Sequence, residues 1–116
     1  MKIPVVLVVL AFARAASAQT QAEMTQEAID DFRKADAQLN VAYGKAKAAL
    51  DAEGQAKLKT AQRAWIVFRD AQADLEADTA ARGGTMAPLI ACTTKKQLTE
   101  DRTSELEELV KTKAGQ

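Results

Sequence analysis

Asp36 and Asn40 stand four residues apart, and Tyr43 follows one turn later. On a helix that spacing stacks carboxylate, amide and phenol on one face. Gln62, Trp65 and the Arg69-Asp70 pair recur at steps of three and four further along, and Arg102 interrupts an otherwise apolar run. Guanidinium, carboxylate and amide groups placed this way do the chemistry of charge-assisted hydrogen bonding. Two readings follow. The residues form a polar binding surface, or they form an internal clamp that fixes the register of neighbouring helices. A charge among apolar neighbours must be paired or wet, so the clamp is the simpler of the two.

Catalysis asks for more than this cluster holds. There is no histidine, which removes the commonest general base and the commonest metal ligand. Ser104 and the threonines have no such base to activate them. A single cysteine, Cys92, excludes a Cys-rich zinc site and an intrachain disulfide framework. Gly83-Gly84 lacks the lysine of a phosphate loop. The acidic runs Asp74, Glu76, Asp78 and Glu105, Glu107, Glu108 read as solvated helix faces. No catalytic, cofactor-binding or metal-ligating residue is assigned, and the chain reads as a non-enzyme. With 16 Lys+Arg against 16 Asp+Glu, it lacks the basic excess of a nucleic-acid binder.

These residues must be positioned by the elements of a 116-residue chain, room for one small domain. Residues 1–18 read as a signal peptide. Lys2 supplies the positive start, Ile3 to Ala13 the apolar run, and Ala16-Ser17-Ala18 the small-x-small cleavage site. Arg14 stops the run short of a membrane span, although an uncleaved anchor is the competing reading. No lipidation cysteine follows. Cleavage before Gln19 leaves 14 basic and 16 acidic residues, a net charge of −2. The expected location is periplasmic or secreted, with no membrane contact after cleavage.

Residues 19–116 are rich in Ala, Lys, Glu, Gln and Leu and hold one proline, Pro88. This predicts an all-α domain: a three-helix hairpin or bundle of long antiparallel helices over about 25–50, 55–80 and 88–113. The first stripe is Ala28, Phe32, Ala35, Leu39, Ala42/Tyr43, Ala46 and Leu50, with Thr25 as N-cap and Gly54 able to end the helix. The second is Leu58, Ala61, Trp65, Phe68, Gln72 and Leu75. The third is Leu98, Arg102, Leu106 and Leu109, with Thr85 a possible cap and Pro88 suited to the first turn.

Between the second and third helices, Arg82, Gly83, Gly84, Thr85, Met86 and Leu89 form a candidate binding loop. The competing reading is a plain connection with Met86 and Leu89 tucked into the core. Cys92 has three fates in an oxidising compartment: burial, pairing between chains, or capping by a small thiol. Leu89, Ile90 and Ala91 beside it favour burial.

Four segments in order carry a resemblance: KADAQLNVAY (34–43), AQRAWIVFRDA (61–71), GGTMAPLIAC (83–92) and LTEDRTSEL (98–106). Together they resemble the LprI-type lysozyme-inhibitor N-terminal domain family. The second segment is the most specific, since Gln62, Trp65 and Arg69-Asp70 recur there at fixed spacing. The resemblance implies a small helical domain, secreted or periplasmic, whose founding activity is inhibition of lysozyme. It also implies cysteines at the positions of Glu27 and Ala73, both absent here, and a bridge from the second helix to Cys92 that this chain has lost. Two functions follow from different classes. One is a lysozyme or cell-wall-hydrolase inhibitor that acts by occlusion, its loop entering a carboxylate-lined cleft with Arg82 leading and Met86 and Leu89 in apolar contact. The other is a periplasmic interaction or structural module without inhibitory activity; a weaker variant works only as a dimer through Cys92. Either way the expected partner is a protein, and no cofactor is implied.

Overall fold

The computed structural model describes the backbone of residues 5–116 and the side chains of residues 20–116. The expected cleavage site at Ala18 therefore lies outside the described side chains. Three helices follow one another: α1 (Val5–Ala48), α2 (Ala52–Ala81) and α3 (Ala87–Ala114). No strand occurs among the described residues.

Each boundary has a local cause. α1 is already helical through Thr20–Thr25, so Thr25 lies inside it and is not its cap; nothing between Gln19 and Thr25 breaks a helix, since the segment holds neither Gly nor Pro. Only Ala49, Leu50 and Asp51 separate α1 from α2. Asp51 caps α2 by accepting from the Gly54 N–H at 2.8 Å. Gly54 thus sits in the first turn of α2 and does not terminate α1. That end is closed by the Gln55 amide, which donates to the carbonyls of Lys47 at 2.9 Å and Leu50 at 3.1 Å. Arg82 to Met86 connect α2 to α3. Gly83 supplies the left-handed step, with φ 68°. Met86 occupies the N-cap of α3 without a side-chain bond, and Pro88 falls in the first turn. Thr85 does not cap; its hydroxyl reaches instead towards Gln21 of α1 at 3.5 Å.

Consecutive helices run antiparallel, so α1 and α3 point the same way. α3 packs closely against both others, while the backbones of α1 and α2 approach each other far less. The reason is side-chain size. α1 presents Ala28, Ala35 and Ala42 at heptad spacing, together with Ala46, and all four are buried. Between α1 and α2 stand long side chains, Phe32, Trp65 and Arg69.

The apolar core gathers at the α1–α2 turn: Leu39, Ala42, Ala46, Leu58 and Leu106, flanked by Tyr43, Leu50, Trp65, Leu109 and Val110. The α1 stripe faces inward along its length. The α2 stripe does not. Leu58 is buried, but Ala61 is exposed, and Phe68 and Leu75 are 52% and 58% exposed. The buried face of α2 is Leu58, Gln62, Arg69, Ala73 and Ala77. Phe68 and Leu75 mislead because apolar periodicity cannot see a polar network that takes the inner face.

Candidate functional site

The middle of the bundle is polar. Arg69 is 9% exposed, and its guanidinium lies 5.1 Å from the Phe32 ring centre and 5.2 Å from that of Trp65. Such stacking over aromatic faces suits a planar, weakly hydrated cation. Its Nε donates to Asp70 at 2.9 Å, and its Nη1 lies 3.6 Å from Asp36 of α1. Lys95 of α3 stands 4.0 Å from Asp70 and 6.0 Å from the Phe32 ring centre. Arg102 of α3 donates to the buried Gln62 amide oxygen at 3.0 Å, pairs with Glu105 at 3.0 Å, and lies 6.0 Å from the Trp65 ring centre.

The structure thus joins Asp36, Gln62, Trp65, Arg69, Asp70 and Arg102 in one network spanning three helices. Asn40 and Tyr43 stand outside it: Asn40 is exposed, and Tyr43 packs on the apolar core. Phe32, Lys95 and Glu105 belong to the network without having been singled out for it. Phe32 reads as core by period, and Lys95 lies in a stretch with no clean stripe. Glu105 sits in an acidic run; only its spacing of three from Arg102 hints at the pair. Three cations meet three carboxylates, so the network is charge-balanced. Its donors and acceptors are turned on one another, which suits clamping better than turnover. Among the described residues, no group of three or more His, Cys, Asp or Glu side chains is placed to hold a metal ion.

The second candidate is the α2–α3 loop. Arg82, Gly83, Gly84 and Thr85 are exposed, while Met86 and Leu89 are partly buried. Arg82 folds back on the last turn of α2, holding Asp78 in two bonds of 2.9 and 2.7 Å. The Arg82 guanidinium holds the Asp78 carboxyl below its ordinary range, and Asp78 in turn raises Arg82. Leu89 also borders a shallow groove between α1 and α3 lined by Met24, Glu27, Asp31, Thr93 and Lys96, about 290 Å³ in volume. Cys92, one turn into α3, is partly buried with a free thiol. Among the described residues no helix is long and apolar enough to cross a membrane.

Residues 13–106 match the family described as Lysozyme inhibitor LprI. An uncharacterised protein of Rhizobium meliloti (strain 1021) is 39% identical, over 80% of this chain and 76% of the relative. No solved structure matches.

Proposed function

The chain belongs to the LprI lysozyme-inhibitor family, and on that premise we propose that it is a secreted or periplasmic, non-enzymatic inhibitor of lysozyme or a related cell-wall hydrolase. The family match over residues 13–106 carries this reading. The site residues are consistent with it. The polar network holds three helices together, and the loop offers an exposed cation, Arg82, folded back on Asp78.

Inhibition would proceed by occlusion. The α2–α3 loop presents Arg82 on a Gly-Gly turn braced by two helix ends. A cleft that cuts glycosidic bonds is lined by carboxylates, and Arg82 is the side chain suited to pair with one. It would exchange Asp78 for the enzyme's acid, while Met86 and Leu89 lend apolar contact at the base. A mature chain of net charge −2 would be steered towards a basic enzyme, and more weakly as salt rises.

The test is the rate at which lysozyme clears a bacterial cell-wall substrate with and without the purified chain. The expected result is dose-dependent slowing, weakened by Arg82→Glu and by raised ionic strength. An undiminished rate at saturating protein would overturn the reading.

A further inference from the structure

Of the large apolar side chains left exposed among the described residues, Ile66, Val67, Phe68 and Leu75 all lie on α2. Phe68 and Leu75 belong to one stripe, Ala61, Ala64, Phe68, Ala71 and Leu75, and every member is exposed. Its steps of three and four are those of a coiled-coil seam. The stripe turns away from the buried face Leu58, Gln62, Arg69 and Ala73, so neither α1 nor α3 covers it.

The charges along α2 say what fits there. Its first half carries Lys57, Lys59 and Arg63; Lys57 pairs with Glu53 at 3.3 Å, which leaves Lys59 and Arg63. Its second half carries Asp70, Asp74, Glu76 and Asp78; Asp70 is held in the network by Arg69 and Lys95, Glu76 accepts from Thr94 and Asp78 is held by Arg82, which leaves Asp74. Among the described residues Arg63 and Asp74 make no ion pair within the chain. A parallel copy of α2 would set like halves together. An antiparallel copy sets basic against acidic at both ends.

We propose that this face of α2 is a self-association surface, on which a second copy of the chain docks antiparallel about a two-fold axis near Phe68. In that register Leu75 of one copy lies against Ala61 of the other. The small Ala61, Ala64 and Ala71 let the helix axes approach and receive the larger side chains. Arg63 falls within one residue of level with the partner's Asp74, and the two-fold axis makes that pair occur twice. The surface lies away from the α2–α3 loop tip, so self-association and hydrolase binding are separate properties.

The test is sedimentation of the purified chain over a concentration series under reducing conditions, which removes any link through Cys92. The expected result is a reversible monomer–dimer equilibrium that Phe68→Glu weakens by at least about tenfold. Phe68 is exposed, so the variant should keep the wild-type circular dichroism and melt. Arg63→Glu and Asp74→Arg should each weaken the dimer, because each sets like charges opposite, and together they should restore it. A chain monomeric at every concentration, or a dimer indifferent to Phe68→Glu, overturns the proposal. So does a double reversal as weak as the single ones, since the helices would then not be antiparallel. Lysozyme inhibition lost in Phe68→Glu while the wild type is monomeric would assign the face to the enzyme instead. Inhibition kept by a monomeric Phe68→Glu leaves the dimer and the inhibitory reading standing separately.

Discussion

Arg69 is held by three kinds of contact at once: stacking on Phe32 and Trp65, an ion pair with Asp36, and a bond to Asp70. Removing one partner of a buried pair costs about 3–5 kcal/mol. Asp36 and Asp70 are themselves nearly half exposed, so water can take over part of their solvation. Arg69→Ala should therefore cost about 3 kcal/mol, at the lower end of that range. Arg69→Lys should fall between, since it keeps the charge and loses the plane. Urea melts of the two variants read this directly, and overlay of Arg69→Ala on the wild type would mean the network clamps nothing. Thr99 is the opposite case. It is fully buried, and its hydroxyl has no hydrogen-bond partner. An unsatisfied buried hydroxyl costs about 1–3 kcal/mol, so Thr99→Val should stabilise by about 1 kcal/mol and raise the melting temperature by about 4–8 °C. Asp78 sets a pH dependence. A carboxyl whose folded value is depressed contributes stability above its unfolded value and loses it as pH falls through the folded one. The Arg82 contact should thus persist through neutral pH and open only in acid, below the ordinary value of 3.8. An NMR titration of Asp78 should show a midpoint below that value, and Arg82→Ala should return it.

α2 and α3 meet in an antiparallel register marked by Arg102 with Gln62, Lys95 with Asp70 and Thr94 with Glu76. Continued from the Arg102–Gln62 and Lys95–Asp70 pairs, that register places Cys92 near the fully buried Ala73. Ala73→Cys should then form a bridge under oxidising conditions, because facing Cβ atoms roughly 3.5–4.5 Å apart suit a disulfide. The gain should be about 2–4 kcal/mol. Free-thiol counting and the melt decide it, and two persistent thiols would show that the side chains diverge. Element boundaries were legible wherever a strong local signal existed. Pro88 marks the start of α3, and the α1 stripe keeps a heptad rhythm because α1 packs on alanines at close range. Gly54 was misleading for a physical reason: Asp51 caps α2 three residues earlier and draws the glycine into the first turn. The inner face of α2 was half legible. Gln62, Trp65 and Arg69 were visible as a polar edge, but the apolar rhythm of Phe68 and Leu75 pointed to a different face.

At the scale of the molecule, the bundle is layered along its axis. Leucines and large apolar neighbours fill the α1–α2 turn end, the Arg69 network fills the middle, and alanines and the loop occupy the far end. Local stability follows buried apolar contact. Amide exchange should be slowest around residues 39–46, 55–62 and 103–110 and fastest around 79–90. Uniform protection along all three helices would show that the far end is as well packed as the turn. Composition and period by themselves determined that the chain is a set of long helices and which residue types meet in the AQRAWIVFRDA segment. Those are local properties, written in propensity, capping and spacing. Only the tertiary structure decided that α3 packs closely on both α1 and α2, that Arg69 goes inside and Phe68 outside, and that Asn40 stands apart. Those outcomes depend on which helix faces meet. Around the Arg69 guanidinium, Trp65 and Asp70 come from α2 itself but Phe32 and Asp36 arrive from α1, and no single helix carries that information.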